Sequence, residues 1–239
     1  MSNRTLFGKI WDLHRIRPMG EGRDLIFVDR HILQETTCAA AFRGLDEDGR
    51  PVRSPALTCA TQDHIVSTEL NRTAVTNPGG RELIGLMAKN AAAHGIRLFG
   101  LGDPRQGIVH VIGPELGLVL PGSIVACGDS HTSTAGGLGA LGIGVGTSEV
   151  EHILATQTLV LPRPKTLRMN FEGKAGHGVT AKDLVLHALG TFGIAIGTGH
   201  AIEYAGPAIR ALPVEGRPTV CTMSIELGAR LGLIAPDEA

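Results

Sequence analysis

Short apolar runs of strand length alternate with amphipathic helical segments along most of this chain of 239 residues. Residues 24–29 and 123–127 are such runs, whereas residues 81–94 place apolar side chains at helical spacing and end before Gly95. Alternating strands and helices are typical of folds in which helices cover a sheet, so the chain is predicted to have an α/β fold. The other elements predicted before residue 160 are a helix over 5–16, a strand over 96–99, a loop over 128–134 and a helix over 148–159.

The composition favours an α/β enzyme with sites on loops over a β-sandwich. The chain contains 33 Gly but only six Phe, one Trp and one Tyr, so it packs through aliphatic side chains and forms many tight loops. The net charge of −1 argues against a nucleic-acid partner, which would need a basic face. Neither a run of about 18 apolar residues nor a signal-peptide pattern is present, so we expect no membrane span and a cytoplasmic location.

The sequence pattern changes at Leu161–Pro164, which reads LPRP. We therefore predict a boundary between two domains, residues 1–164 and residues 165–239. Residues 218–231 resemble a helix, and the sequence stops soon afterwards without a following strand. We therefore expect an incomplete second α/β domain that leaves apolar side chains uncovered. These side chains are Ile225, Leu227, Leu231 and Ile234. The other elements predicted in this domain are a strand over 165–172, a capping-box helix from Thr180 to Leu189 and a strand over 201–204.

Histidines and short acidic residues gather in three turn-rich, mostly uncharged stretches. A carboxylate beside a histidine fixes the tautomer of the ring and raises its basicity, which general acid–base catalysis near neutral pH requires. Such groups at strand ends are also where α/β folds place their sites. They are Asp63 and His64 in ATQDHIVST, His110 in QGIVHVIG, and Asp129, Ser130 and His131 in CGDSHTS.

Structural roles for the same residues remain open at this stage. His110 lies in an apolar run and could be a core residue, and Asp129 could serve only as a helix N-cap. The glycine-rich segment 136–146 contains a formal G-x-G-x-x-G, but a loop separates it from the preceding strand and no acidic residue follows near 162–164. We therefore interpret its glycines as allowing close packing against the loop that carries His131.

Seven longer motifs together resemble the aconitase family of hydro-lyases, and within it the large subunits of isopropylmalate dehydratases. The motifs are DRHILQETT, ATQDHIVST, QGIVHVIGPELG, LPGSIVACGDSHTSTAGGLGALGIGVGTSEVEH, ATQTL, GTGHAIEYAG and CTMSIELGA. The resemblance implies a layered α/β/α domain and the dehydration and rehydration of a 2-hydroxy di- or tricarboxylate. For the dehydratases it implies interconversion of 2-isopropylmalate and 3-isopropylmalate in leucine biosynthesis. In this family a [4Fe-4S] cluster with one open iron acts as the Lewis acid.

The resemblance also assigns roles to residues. Asp63 and His64 match the pair whose histidine protonates the departing hydroxyl group. His110 matches a second active-site histidine, and its acidic partner in the family matches Glu226.

A third family pair matches Asp129 and His131, with Ser130 and Gln34 at substrate-binding positions. Isopropylmalate dehydratases usually have His where Gln34 stands, which departs from the pattern. A second departure is Thr222, which replaces an Asn close to the cluster and cannot donate the same amide hydrogen bond.

The cluster ligands are the most serious departure. No pair of cysteines in the chain forms C-x-x-C, so we expect buried, reduced thiols and no metal ligand here. The cysteines are Cys38, Cys59, Cys127 and Cys221. The resemblance implies that the cluster ligands, the arginines that hold the distal carboxylates and a serine base come from the rest of the large subunit and from a small, swivel-domain subunit. We therefore predict that the chain alone is inactive.

Three alternatives remain open. The chain could be a non-catalytic, truncated carboxylate-binding module. It could belong to another dehydratase of the family, homoaconitase or aconitase-like, that acts on a different hydroxy acid. It could also bind a single zinc ion through His64, His110 and His131.

Overall fold

A computed structural model of the chain describes residues 4–238. The elements in chain order are α1 (Leu6–His14), β1 (Arg15–Gly20), β2 (Arg23–Phe27), β3 (Arg30–Leu33), α2 (Glu35–Glu47), a 3₁₀ helix (Pro55–Leu57), β4 (Thr58–Thr61), α3 (Arg81–Ala93), β5 (Arg97–Phe99), α4 (Val109–Glu115), β6 (Ile124–Cys127), a second 3₁₀ helix (Ser130–Leu138), β7 (Leu141–Gly144), α5 (Thr147–Thr156), β8 (Thr158–Pro162), β9 (Lys165–Asn170), α6 (Ala181–Phe192), β10 (His200–Ala205), α7 (Pro207–Arg210), α8 (Gly216–Thr222) and β11 (Leu231–Ile234).

A five-stranded parallel sheet forms the centre of the first part of the chain, with the strand order β5-β4-β3-β6-β7. β4 and β6 are buried at all four positions, as expected for strands covered on both faces. The chain proceeds outward from β3 in one direction through β4 and β5, and in the other through β6 and β7. The carboxyl ends of β3 and β6 therefore border a topological switch point, where open α/β sheets bind their ligands.

Helices cover both faces of this sheet, which confirms the predicted α/β/α layers. Successive side chains of a strand point to opposite faces, so Leu33 and Ile32 of β3 enter different apolar clusters. The cluster of Leu33 contains residues of α2, α3 and α5, including Phe42, Met87 and Ile153. The other cluster contains residues of α4 and of the second 3₁₀ helix.

Two three-stranded sheets complete the fold. β1, β2 and β8 form an antiparallel sheet, and β9, β10 and β11 form a parallel one. The apolar faces of α6 and α8 pack in one cluster with β10 and β11. The predicted domain boundary at 161–164 covers the end of β8 and the link to β9, and it stays a prediction. Leu231 and Leu233 of the second part join the same apolar cluster as Leu141 of the first. No helix among residues 4–238 has the length and apolar content needed to span a membrane.

Two predicted helices end earlier than expected. The helix predicted over 148–159 ends at Thr156, because Gln157 adopts a left-handed conformation with φ of 60° and the chain continues as β8. The helix predicted over 218–231 was wrong beyond Thr222, where α8 ends. Turns follow, with Gly228 at φ of 83°, and the chain then enters β11.

The predicted exposure of the last apolar side chains was also wrong. Leu227, Leu231 and Ile234 are buried, and Ile225 is partly buried. The reason is β11, which was not predicted: it pairs with β10 and packs against the second 3₁₀ helix. This strand covers the surface that a helix would have left open.

The glycine-rich segment packs closely, as predicted. The segment predicted as a loop over 128–134 instead enters the second 3₁₀ helix at Ser130. A Cβ at Gly136 would overlap the carbonyl oxygen of Gly232, and one at Gly142 would overlap that of Thr132. Only glycine therefore allows the second 3₁₀ helix to lie directly against β7 and β11.

Candidate active site

The carboxyl ends of three neighbouring strands carry the acidic residues of the site. Gln34 and Glu35 follow β3, Asp63 and His64 follow β4 two residues after it ends, and Asp129 follows β6. Because β4, β3 and β6 are adjacent and parallel, these side chains meet at one edge of the sheet. Asp63, His64 and Asp129 thus lie after strand ends, as the sequence pattern predicts, whereas His110 lies on α4. The catalytic roles of these residues stay predictions.

Asp129 is the centre of the cluster. Its Oδ2 accepts a hydrogen bond from His64 Nε2 at 3.0 Å, and His110 Nε2 lies 3.1 Å away without the alignment of a hydrogen bond. Its Oδ1 accepts the backbone N–H of His131 at 2.7 Å, so Asp129 is also the N-cap of the second 3₁₀ helix. Burial raises the pKa of Asp129, but the neighbouring His110 and His64 outweigh this and hold it well below its usual value. Asp129 is therefore an anion.

His64 lies between two carboxylates. Its Nδ1 is 2.7 Å from Asp63 Oδ1, and its Nε2 is bound to Asp129. The hydrogen bonds to Asp129 and Asp63 raise the pKa of His64 to about 10, against the opposing effect of burial. Its ring therefore carries two protons and a positive charge at neutral pH. Asp63 Oδ2 accepts the backbone N–H of Val109 at 2.7 Å, which ties the start of α4 to the pair.

Glu35 is a site residue that the sequence analysis missed. Its side chain is fully buried and accepts three backbone N–H groups, from Asp63, His64 and Ile65, at 3.1, 2.8 and 2.7 Å. These bonds fix the loop that presents His64. The available signal was its position: Glu35, like Asp63 and Asp129, is the second residue after a strand of the parallel sheet. The sequence analysis recognised the other two acids by their neighbouring histidines.

The acids are paired differently from what the resemblance implied. Glu226 Oε1 lies 3.4 Å from His131 Nε2, whereas His110 lies against Asp129. His110 is on α4, which faces Asp129, and Glu226 follows α8, which packs on the 3₁₀ helix that carries His131. His131 is the most exposed imidazole of the group, with 46% of its side chain accessible, and Ser130 Oγ lies 3.4 Å from its Nδ1.

Gln34 and Thr222 have hydrogen-bond partners within the protein. Gln34 is buried, and its Nε2 donates to the carbonyl oxygen of Gly128 at 2.8 Å. Its Oε1 accepts the N–H of Thr36 at 2.6 Å, so the amide joins the start of α2 to the loop before Asp129. The hydroxyl of Thr222 accepts a hydrogen bond from Thr134 at 2.7 Å. Their expected substrate-binding and cluster-adjacent roles stay predictions.

The four cysteines do not fit an iron–sulfur cluster. All four are buried, and burial raises the pKa of Cys38 to about 12, that of Cys59 to about 11, and those of Cys127 and Cys221 as well. Cluster ligands must be thiolates, which such environments disfavour. Cys59 is on β4 and Cys127 is on β6, with β3 between these two strands. Cys38 and Cys221 lie on the helices α2 and α8. The described residues therefore contain no thiol ligand set.

The zinc alternative also lacks support. Within residues 4–238, the acidic and imidazole groups whose ligand atoms all lie within 4.8 Å of one another are Glu35, Asp63 and His64. Backbone N–H groups already occupy both oxygens of Glu35 and one of Asp63, which accounts for this arrangement without a cation. The three-histidine set His64, His110 and His131 does not meet the same distance limit.

Fold and site together define a class: an α/β protein with an acid–imidazole cluster at the carboxyl edge of a parallel sheet. Residues 8–239 match the family described as "Aconitase family (aconitate hydratase)", and the chain belongs to this family. It is 54% identical over 235 residues to the "3-isopropylmalate dehydratase large subunit 1" of Bradyrhizobium diazoefficiens, a match that covers 98% of this chain and 49% of the relative. The chain thus spans about half the length of this curated relative.

Proposed function

We propose that this chain supplies the acid–base part of the active site of a hydro-lyase that interconverts 2-isopropylmalate and 3-isopropylmalate. The observation that carries the proposal is the imidazolium of His64, held between the carboxylates of Asp63 and Asp129. Membership of the aconitase family and the similarity to the large subunit of an isopropylmalate dehydratase support the reaction class.

The removal of a hydroxyl group from carbon requires that the group leave as water. His64 retains its proton at neutral pH, and 30% of its side chain is accessible, so it can donate that proton to a hydroxyl group bound beside it. Asp63 and Asp129 orient the ring and stabilise its charge before donation. In this proposal His131 and Glu226, the more exposed pair, exchange a proton with a neighbouring atom of the substrate.

Other parts of the enzyme complete the site in this proposal. The ligands of a [4Fe-4S] cluster come from the half of the large subunit that this chain does not match, since the cysteines described here are buried and protonated. A separate small subunit is the other partner, as the name of the relative implies. The isolated chain should therefore not turn over 2-isopropylmalate, even after anaerobic treatment with iron and sulfide.

A chimera tests the proposal. This chain replaces the matching half of the Bradyrhizobium large subunit, and the product is combined with the small subunit and reconstituted anaerobically. The chimera should consume 2-isopropylmalate, and His64→Gln should lower kcat by about 10²- to 10⁴-fold. The control is His177→Gln, an exposed histidine outside the cluster, which should leave the rate unchanged. Turnover by the isolated chain, or a His64→Gln chimera of full activity, would contradict the proposal.

A further inference from the structure

A cleft of about 250 Å³ opens beside the acid–imidazole cluster. It is lined by Ser130, Gly144, Val145, Gly146, Ile225 and Arg230. Ser130 and Ile225 immediately precede His131 and Glu226, so the cleft adjoins the more exposed acid–imidazole pair. A Cβ at Gly144 would lie only 2.6 Å from the carbonyl oxygen of Asp129. Gly144, in the wall of the cleft, therefore packs directly against the backbone of the central acid.

The carboxylates of the neighbouring cluster make a cation in this cleft favourable for the binding of an anion. Asp63, Asp129 and Glu226 contribute three carboxylates, against the imidazolium of His64. A dicarboxylate that approached the cluster would be repelled unless a positive group received one of its carboxylates. Among the residues that line the cleft, Arg230 is the one with a permanent positive charge.

Arg230 is free to take this role. It is exposed, and it forms no ion pair or hydrogen bond with any other side chain in the described part of the chain. Its backbone is held in place nonetheless, because it directly precedes β11 and follows Ala229, whose N–H donates to the carbonyl oxygen of Ser224 at 3.0 Å. A fixed backbone with an unpaired guanidinium suits the recognition of an external anion.

The remaining wall of the cleft is apolar. Of its lining residues, Val145 is buried and Ile225 is partly buried. The cleft therefore combines a guanidinium, a hydroxyl group at Ser130 and two branched aliphatic side chains. This combination fits a hydroxy dicarboxylate that carries a small branched alkyl group.

We propose that Arg230 binds a carboxylate of the substrate through a two-pronged hydrogen bond, while Val145 and Ile225 contact its alkyl substituent. This inference rests on the proposed function and makes Arg230 a specificity residue contributed by this chain. A planar guanidinium matches both oxygens of a carboxylate, which an ammonium group cannot do.

Isothermal titration of the chain with 2-isopropylmalate, malate and 3-methylbutanoate tests the assignment directly. 2-Isopropylmalate should bind most tightly, and malate should bind about 10-fold more weakly because it lacks the alkyl group. 3-Methylbutanoate, which keeps the alkyl group but has one carboxylate, should also bind more weakly. Arg230→Gln should weaken 2-isopropylmalate binding by about 10- to 100-fold, and Arg230→Lys should fall between. The control Arg210→Gln removes an exposed arginine outside the cleft and should change nothing.

A second cavity beside Arg230 is the alternative binding site for the anion. Arg230 also borders an apolar cavity of about 160 Å³ that Trp11 and Leu161 line. Trp11 is the single tryptophan of the chain, so its fluorescence reports on a ligand in that cavity. A change in Trp11 fluorescence, with an affinity that Ile225→Ala leaves unaltered, would place the anion there and overturn the proposal.

The same variants in the chimera separate this inference from the proposed function. Arg230→Gln should raise KM for 2-isopropylmalate by a factor similar to the loss of affinity, with a much smaller effect on kcat. An active chimera in which Arg230→Gln leaves KM unchanged would refute the role of Arg230 alone. An inactive chimera would count against the proposed function, and the titration would still decide the inference. Absence of 2-isopropylmalate binding by the unsubstituted chain at millimolar concentration would also refute it.

Discussion

Glu35→Gln is the substitution that tests most directly how the fold holds the site. Glu35 Oε1 accepts the N–H groups of His64 and Ile65, and its Oε2 accepts that of Asp63. Glutamine has nearly the same shape, but one of these oxygens becomes an NH₂ group that must face a backbone donor. A hydrogen bond to a charged acceptor contributes about 1.5–3 kcal/mol, and a buried donor left unpaired costs about 1–3 kcal/mol. Because the loop can relax, we expect a loss of about 2–4 kcal/mol in the free energy of unfolding.

Thermal unfolding and amide hydrogen exchange measure this effect. A loss of that size lowers Tm by roughly 5–15 °C for a chain of this length. The amides of residues 63–65 should exchange much faster, because they lose the acceptor that protects them. The matched control is Glu47→Gln on the same helix, where the side chain is exposed and Tm should not change. If Glu35→Gln unfolded at the temperature of the unsubstituted chain and kept the three amides protected, the structural role argued for Glu35 would be refuted.

Four further predictions follow from the same geometry. Asp129→Asn should bring the pKa of His64 down from about 10 toward its ordinary value in an NMR titration, and an unchanged pKa would contradict the pairing. Since folding raises the pKa of His64, its stabilising contribution is complete below 6.5, the ordinary value, and is lost as pH rises through about 10. Urea unfolding should show this decline, and His64→Gln should flatten it. Gly142→Ala should destabilise the fold by about 3 kcal/mol, measured by chemical denaturation, because its Cβ would overlap the backbone of Thr132. Its control, Gly85→Ala on α3, places a Cβ in open space and should stabilise the fold by about 0.5–1 kcal/mol. The four cysteines should react with an aromatic disulfide reagent only after unfolding, and rapid labelling of the folded chain would contradict their burial.

Local sequence patterns were sufficient to predict the helices that have a clear apolar stripe or a capping box. The helix predicted over 81–94 was found as α3, and the capping box at Thr180 was found at the start of α6. In contrast, no element was predicted over residues 35–47, where α2 lies. Its sequence includes two threonines and Gly44, which favour a helix weakly, and a Cβ at Gly44 would overlap the side chain of Glu151 on α5. The contact between α2 and α5 at this glycine is one that no local pattern shows.

The site could be predicted to a similar extent. Asp63, His64 and Asp129 were identified because acids adjoin histidines in turn-rich stretches, and they meet because parallel strands end at one edge of the sheet whatever their order. Their pairing could not be derived in this way, since it depends on where α4 and α8 pack against the sheet. Glu226 was found only through the resemblance, and its partner is His131 rather than His110.

The two central carboxylates share one arrangement, which explains how the cluster keeps its charges in place. One oxygen of Asp63 accepts the backbone N–H of Val109, and the other pairs with His64. Likewise, one oxygen of Asp129 accepts the backbone N–H of His131, and the other pairs with His64. Neither acid can turn toward solvent without breaking a hydrogen bond that begins a helix. The field around the imidazolium is therefore organised by the fold before substrate arrives, so little rearrangement is needed when a proton moves.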